Sequence, residues 1–333
     1  NKLKVTYTNN PAWMMVEALP TIAHASTKDA IGLAAKYYAN TLSAHLMQIA
    51  GQNDSLSVMN AYKEESLFAL RQLQLADGSF AWWPGMRGSF YVTVAVTEML
   101  QRLNMMLGEQ TSTKKLLTNS MKFMAGEVSK HVEVLKHLEA KKYDNLLPSE
   151  ADMQYLYICA MRKEGLNHPD NKYLLGLVEK RPALFTIYGK AMMSVILARN
   201  GNEKLAKEYL ESLKQYTVYT DEMGRYFDTK CASYSWFDYR IPTEVAAIEA
   251  IKMVTPEDKK TVSEMQRWLL QSKRTQSWDT PINAVNAIYA FMQGQTKESL
   301  TNYGANTVLK LNGTELKTKE TSVGRAMVEA EKT

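Results

Sequence analysis

The feature that most constrains the fold is a junction that occurs twice, in which helix-like stretches flank a short turn that contains tryptophan. The first copy covers residues 74–96, QLADGSFAWWPGMRGSFYVTVAV, and the second covers residues 276–291, QSWDTPINAVNAIYAF. Asp77-Gly78 and Pro84-Gly85 predict turns, because Gly accepts positive φ and Pro interrupts regular structure. Apolar residues resume helical spacing after each turn. This pattern predicts a closed ring of helical hairpins.

Composition supports a helical chain. Only 16 Gly and 9 Pro occur in 333 residues, so turns are few. The net charge of +5 is mild and has no Lys/Arg run of the kind that tracks a phosphate backbone, so no nucleic-acid partner is predicted. The longest apolar run, residues 191–198, is too short to span a bilayer. We therefore predict no membrane contact by this segment.

The two ends of the chain have a different character from its middle. Residues 2–8 alternate like an edge strand. Residues 307–311 and 315–318 look like two short strands joined at Asn312-Gly313, a strong hairpin signal. We predict a strand of a partial β domain over residues 1–9, a helical ring over residues 10–298 and a β hairpin of the partial β domain over residues 299–333. A helical domain inserted into a β domain would produce this order.

The cysteines and histidines predict no metal site and no cofactor. Cys159 lies in an apolar helical run and is expected to be a buried small hydrophobe, while a disulfide with Cys231 stays open. His131 and His137 are six residues apart, the wrong spacing for two ligands on one helical face. They belong to a stretch whose apolar residues form one stripe from Leu117 to Leu138, which predicts a packing helix with a solvated lysine face.

Five segments together resemble the thioester-domain region of bacterial alpha-2-macroglobulin-like proteins. They are NPAWMMVEALP at 10–20, KYYANTL at 36–42, DGSFAWWPG at 77–85, SWFDYRIPTEVAAIEA at 235–250, and RWLLQSKRTQSWDTPINAVNAIYAF at 267–291. The resemblance implies a mainly α fold, an α/α toroid of about six helical hairpins. It also implies flanking short strands that belong to an incomplete, CUB-like β-sandwich.

The resemblance also implies a function. In such proteins the whole chain is a secreted or periplasmic protease trap, in which cleavage of a bait segment releases a thioester that acylates the attacker. The expected role is that of an internal domain of an endopeptidase inhibitor rather than an enzyme. The expected partners are proteases and other domains of the same chain. The expected location is the periplasm or outer membrane of a Gram-negative bacterium.

The chain departs from that family at the thioester itself. Thioester-bearing members have a Cys-x-x-Gln motif eight residues before the aromatic pair that is Tyr37-Tyr38 here. Asp29 and Gly32 occupy the two positions in this sequence. A carboxylate cannot replace the thiolate and Gly has no side-chain acyl group, so no thioester is expected at this degenerate position. Such a member would trap proteases, if at all, without covalent capture.

Aromatic residues suggest an alternative role as a carbohydrate- or peptide-binding module. The candidate aromatic mouth consists of Trp82, Trp83, Trp236, Phe237 and Tyr239, the last three resembling the family's aromatic wall beside the thioester. Either a hydrophobic lid or a ligand cradle would use such residues. Stacking on a ligand requires the tryptophan rings to be exposed together.

An enzyme on the same kind of ring is the other alternative. The segment DGSFAWW looks like the aromatic repeat of squalene-type cyclases, but the chain has no Asp-Asp pair for a cyclase to use. A glycosidase needs two carboxylates facing each other across a cavity. The candidates are Asp77, Asp228, Asp238, Glu244 and Asp279. Each is explained more simply as a turn former or a helix cap.

Overall fold

Helices form most of the protein, and short strands flank them. The computed structural model describes residues 2–54, 56–180, 186–228, 240–275, 278, 280–303, 307–321 and 323–332. The helices are α1 Ala12–Val16, α2 Leu19–Ala23, α3 Ala30–Ile49, α4 Leu56–Leu73, α5 Phe90–Leu107, α6 Lys114–Ala140, α7 Glu150–Arg162, α8 Pro169–Glu179, α9 Ile187–Arg199, α10 Glu203–Lys214, α11 Arg240–Val254, α12 Lys259–Thr275, α13 Pro281–Met292 and α14 Lys297–Thr301. The strands are β1 Leu3–Tyr7, β2 Phe80–Ala81, β3 Gly88–Ser89, β4 Thr217–Thr220, β5 Gly224–Phe227, β6 Lys310–Leu311, β7 Thr314–Glu315, β8 Lys319–Thr321 and β9 Gly324–Lys332.

Six inner helices form a closed ring. The helices α3, α5, α7, α9, α11 and α13 each pack against the next, and α13 returns to pack against α3. Outer helices cover them: α4 packs on α3, α6 on α5, α10 on α9 and α12 on α11. The predicted toroid of about six helical hairpins is confirmed.

Burial explains which helices are inner and which are outer. The inner helix α9 is apolar on every side, and its residues from Ile187 to Leu197 are all buried. The outer helix α6 buries one stripe that includes Leu117, Met124 and Val128, as its spacing predicts, and exposes most of its other positions. A helix that is hydrophobic all round must be enclosed, whereas one with a single stripe can face water.

The inner helices run in the same direction. Gln154 in the first turns of α7 donates to the Tyr188 hydroxyl in the first turn of α9 (3.2 Å). Deeper in the ring, the Tyr289 hydroxyl of α13 donates to Glu249 of α11 (3.0 Å). These contacts join matched depths of two neighbouring pairs, and an outer helix lies between consecutive inner helices along the chain, so that the inner helices begin at one end of the ring. We call this end the N-terminal mouth; its helices begin at Ala30, Phe90, Glu150, Ile187, Arg240 and Pro281.

The strands at the two ends of the chain lie together. β9 is the central strand of an antiparallel sheet in the order β1-β9-β8, and β1 pairs with it from Leu3 opposite Lys332 to Tyr7 opposite Val328. The hairpin β6–β7 turns at Asn312 and Gly313, which both have positive φ, as this dipeptide predicts. The flanking strands are thus confirmed, although the sequence reasoning missed β8 and β9.

Two further details concern the helices. α11 begins at Arg240, so Pro242 lies inside its first turn rather than before it. Among the described residues, no helix is both long enough and apolar enough to cross a membrane. The domain bounds at residues 9 and 298 stay a prediction.

Candidate functional site

The degenerate thioester position lies at the start of α3, in the N-terminal mouth. Asp29 is the N-cap of this helix: its Oδ1 accepts from the backbone N–H of Gly32 (2.9 Å). Its other oxygen, Oδ2, accepts from the Thr27 hydroxyl (2.6 Å). The next backbone N–H, that of Ala30, donates to the carbonyl of Trp82 (2.9 Å). The Asp29 carboxylate therefore satisfies the helix end.

Gly32 leaves no room for a side chain in this arrangement. A Cβ built on Gly32 would lie 2.2 Å from Thr27 Oγ1 and 2.7 Å from Asp29 Oδ2. A glutamine, whose carbonyl the family's thioester requires, would collide with the Thr27–Asp29 pair. The space beside Gly32 is thus occupied by the side chains of Thr27 and Asp29.

Cys159 lies on a different inner helix from Asp29 and Gly32. It lies in α7 and is fully buried. Burial raises the pKa of its thiol to about 11, so the thiolate that a thioester or a metal needs is disfavoured. Among the described residues it has no disulfide partner. Its prediction as a buried small hydrophobe is confirmed, while Cys231 lies outside the described residues.

Two of the five residues of the candidate aromatic mouth are described. Trp82 and Trp83 lie in the loop between β2 and β3, just before α5, with exposed fractions of 37% and 47%. The Trp82 ring leans on Tyr91, with the ring centroids 6.3 Å apart. Trp236, Phe237 and Tyr239 lie outside the described residues. The role of the five as one site stays a prediction.

The carboxylates proposed for a glycosidase do not meet among the described residues. Asp77 accepts from the Ser79 backbone N–H (2.9 Å) and hydroxyl (2.6 Å), and these bonds lower its pKa, as expected of a turn former. Glu244 is buried within α11, and burial raises its pKa well above the ordinary value. Asp228 is exposed. Asp238 and Asp279 lie outside the described residues.

Sequence reasoning missed a charged group at the centre of the ring. We call it the central charge cluster, and it consists of Glu98 and Arg102 of α5, Glu249 of α11, and Asn286 and Tyr289 of α13. Arg102 is 3% exposed and its guanidinium lies 3.6 Å from Glu98 and 3.9 Å from Glu249. It also donates to the side-chain carbonyl of Asn286 and lies over the Tyr289 ring, 4.7 Å from its centroid.

The electrostatics of this cluster follow from burial and from its unequal charges. Burial raises the pKa of Glu98 and of Glu249, and Arg102 only partly opposes that effect. Burial alone would lower the pKa of Arg102, but the two carboxylates raise it above its ordinary value, so the guanidinium keeps its charge. Because the two carboxyl groups share one cation, retention of a proton by one of the two is favoured. Each carboxyl also has an oxygen with no hydrogen-bond partner among the described residues, Glu98 Oε1 and Glu249 Oε2.

The central charge cluster links three inner helices and is enclosed, since its residues are at most 8% exposed. A sequence signal for it exists: Glu98 and Arg102 are four residues apart in a stretch, residues 90–107, that has no other charged residue. A charge within such a helix must have a partner inside the protein. Glu249 could not be found in this way, because its partner lies about 150 residues away, a separation that only ring closure brings into contact.

His131 has a structural partner. Nδ1 of His131 lies 2.7 Å from Asp152 Oδ1, and Asp152 in turn forms the capping box of α7 with Ser149. Among the described residues, no three His, Cys, Asp or Glu side chains are placed to hold a metal ion.

Comparison with known proteins reveals similar structures but no similar sequences. No protein-family model and no curated protein matches the chain. The native E. coli alpha-2-macroglobulin is similar with a TM-score of 0.56 and 13% identity, over 99% of this chain and 19% of that one. The methylamine-reacted Salmonella alpha-2-macroglobulin gives a TM-score of 0.58 and 11% identity, over 99% of this chain and 20% of that one. An E. coli alpha-2-macroglobulin structure spanning domain MG7 to the C-terminus gives 0.54 and 11%, over 99% and 48%.

These matches concern the fold. The chain spans about a fifth of the length of the two longer alpha-2-macroglobulins that it matches. At 11–13% identity, likeness of structure does not transfer activity or partners. The protein has a mainly helical fold similar to the thioester-domain region of bacterial alpha-2-macroglobulins.

Proposed function

We propose that this protein is the helical domain of an alpha-2-macroglobulin-like endopeptidase inhibitor that works without an internal thioester and restrains proteases non-covalently. The observation that carries the proposal is the N-terminus of α3. Asp29 caps that helix, and Thr27 occupies the space that a side chain at Gly32 would need. A fold similar to that of alpha-2-macroglobulins is thus combined with a site that lacks both thioester partners.

The proposal places the chain within a larger protein. The matched alpha-2-macroglobulins are about five times longer than the segment that they share with this chain, and β1 and β9 form a sheet that other domains could extend. Proteases and other domains of the same polypeptide would be the partners. The periplasm or outer membrane of a Gram-negative bacterium would be the location, by analogy with the bacterial proteins that it resembles.

The absence of a thioester can be tested with methylamine, a small nucleophile that opens such bonds. We expect no mass increase of the protein after incubation with methylamine, and no newly titratable thiol. A thioester-bearing alpha-2-macroglobulin treated in parallel is the positive control. Incorporation of one methylamine per chain would contradict the proposal.

Trapping can be tested by comparing the access of two substrates to a protease. The intact polypeptide that contains this domain is incubated with a panel of endoproteases, and cleavage of a large protein and of a small peptide is followed. A non-covalent trap protects the large substrate, leaves the small one cleavable and gives no covalent adduct on denaturing gels. Equal cleavage of both substrates with and without the polypeptide would overturn the proposal.

A second candidate is a binding module for carbohydrate or peptide. The exposed rings of Trp82 and Trp83 favour this role, because the sugar rings of a carbohydrate or the side chains of a peptide can stack on exposed aromatic faces. Titration with chitohexaose or a soluble peptide, followed by tryptophan fluorescence, tests it. The double variant W82A/W83A should abolish any response, whereas Trp13→Phe, at a buried ring, should not.

An enzymatic role has less support among the described residues. Asp77 is used in a turn, and the buried carboxylates Glu98 and Glu249 both face Arg102 within the packed ring. This arrangement does not resemble an acid and a base across an open cavity.

A further inference from the structure

A cleft beside the start of α3 is a candidate ligand site that the proposed function does not use. It has a volume of about 410 Å³ and lies between α2, α3, α12 and α13. We call it the α3–α13 cleft. Its apolar lining comes from Ala18, Ile22, Ala25, Pro281 and Ala284. Ligand pockets in proteins have volumes of about 300–1,000 Å³ and similar linings.

The polar side chains of the cleft include the hydrogen-bond donors of Lys273, Trp278 and Thr280 and the carboxylate of Glu17. The indole N–H of Trp278 is buried and has no hydrogen-bond partner among the described residues. An indole N–H can only donate, and leaving it buried and unpaired is unfavourable. The Thr280 hydroxyl oxygen already accepts from the Asn283 N–H, so its own hydrogen remains available to a ligand.

Lys273 adds a positive charge to the same lining. Its ammonium donates to the carbonyl of Met14 (2.9 Å) and lies 3.9 Å from the Glu17 carboxylate, which is longer than a hydrogen bond. Among the residues that the structure describes, its remaining protons have no acceptor within hydrogen-bond distance. Burial lowers the pKa of Lys273, so an added anion would be favoured beside it. The Glu17 side chain is more than half exposed and can turn toward water.

Gly32 keeps the wall of the cleft open. It lines the cleft, and any side chain at this position would collide with Thr27. Besides its apolar residues and Trp278, the lining contains the Lys273 ammonium, the Glu17 carboxylate and the side chains of Thr21, Thr27 and Thr280. The apolar part offers water few of the two to four polar partners that each buried water molecule needs.

We propose that the α3–α13 cleft binds a small amphipathic monocarboxylate, whose carboxylate accepts from Lys273 and Trp278 and whose hydrocarbon packs against Ile22 and Ala284. Charge complementarity selects the anion, and the single ammonium favours one negative charge rather than two. A hydrocarbon chain of about eight carbon atoms fits a cleft of this volume. The inference holds whether or not the protein restrains proteases.

Calorimetric titration of the protein with octanoate at neutral pH tests this inference, with 1-octanol as the uncharged comparison. We expect saturable binding of octanoate below millimolar concentration, and at least about tenfold weaker binding of 1-octanol. Lys273→Met removes the charge and should weaken octanoate binding about tenfold or more. Trp278→Phe removes only the N–H and should weaken it by a smaller factor. Lys260→Met is the matched control, since this lysine is on the same helix with a side chain 87% exposed, and should leave binding unchanged.

Several outcomes would overturn the inference. They are the absence of saturable octanoate binding, equal binding of octanoate and 1-octanol, and unchanged octanoate binding by the Lys273→Met variant. Circular dichroism and the melting temperature report whether each variant is folded. If Lys273→Met does not fold, the Trp278→Phe variant and the comparison of the two ligands on the unmodified protein decide the question.

Discussion

Arg102 shows how much one residue can matter in a closed ring. Its guanidinium contacts side chains from α5, α11 and α13, and it is the cation that both Glu98 and Glu249 face. A buried charge is tolerated only when it is paired, so these residues depend on one another. The central charge cluster thus fixes which faces of three inner helices meet.

Removing the cation should destabilise the protein strongly. We expect Arg102→Met to lower the free energy of unfolding by about 3–5 kcal/mol, because two buried carboxyl groups lose their partner. Urea denaturation measures the change. Arg325→Met, at an exposed surface pair with Glu320, is the control and should change it by less than about 1 kcal/mol. Equal effects of the two variants would show that the cluster does not hold the ring together.

The pH dependence of stability follows from the same cluster. The pKa of Glu98 and of Glu249 is raised above the ordinary value in the folded protein, so the folded state keeps protons that the unfolded state releases. Their contribution to stability is greatest below the unfolded pKa and is lost as the pH rises through the folded pKa. Relative to Glu98→Gln, the unmodified protein should therefore gain stability from pH 7 to pH 5. Urea denaturation midpoints at pH 7 and pH 5 measure this change. Glu64→Gln, at an exposed side chain, is the control. A stability difference between the protein and Glu98→Gln that is the same at both pH values would contradict the assignment.

At the scale of an element, the start of α3 combines a cap with an unusually tight contact. A Gly-to-Ala change within a helix ordinarily stabilises by about 0.5–1 kcal/mol. At Gly32 the added Cβ would lie 2.2 Å from Thr27 Oγ1, so the contact outweighs the helical preference.

We therefore expect Gly32→Ala to destabilise the protein by about 1–3 kcal/mol. Gly126→Ala in α6 is the matched control, because nothing lies within 4 Å of the added Cβ, and it should stabilise. Thermal unfolding measures both. Combining Gly32→Ala with Thr27→Ala should recover part of the loss, and a purely additive double variant would count against the contact with Thr27.

The elements differ in how well the sequence predicts them. The apolar stripe of α6, the Asp77 turn and the Asn312-Gly313 hairpin follow from local chemistry, and each is found. β9 was missed because its residues, GRAMVEAEK, have no clear alternation, and its pairing with β1 joins opposite ends of the chain. The Glu249–Arg102 contact was missed because these two residues are also far apart in the sequence. Local patterns and the repeated junction thus predict the helical elements and their ring, whereas contacts between residues far apart in the sequence do not follow from local patterns.

At the scale of the whole molecule, one tryptophan joins the start of the helical region to its end. Trp13 of α1 is 1% exposed, and its indole N–H donates to the carbonyl of Leu300 in α14 (3.0 Å). α1 also packs against α13, the inner helix that closes the ring on α3. The two ends of the ring are held together partly by this residue.

Replacing this residue should weaken the whole ring. We expect Trp13→Ala to lower the free energy of unfolding by about 3–5 kcal/mol through the cavity and the lost hydrogen bond. Urea denaturation measures this, and the unfolding transition should remain a single one if the ring unfolds as a unit. Trp83→Ala, at a ring that is 47% exposed, is the control and should have little effect. A loss confined to a separate early transition would show that α1 is not part of the cooperative unit.

The antiparallel pairing of β1 with β9 has a mechanical consequence. Leu3 lies opposite Lys332 and Tyr7 opposite Val328, so the outer ends of both strands are neighbours. A pulling force applied at these ends would break the hydrogen bonds between β1 and β9 one after another rather than all at once. The helical ring would carry no tension until the two strands had separated. Tension transmitted along a polypeptide through these strands would therefore be felt first by the sheet and only afterwards by the α3–α13 cleft and the N-terminal mouth.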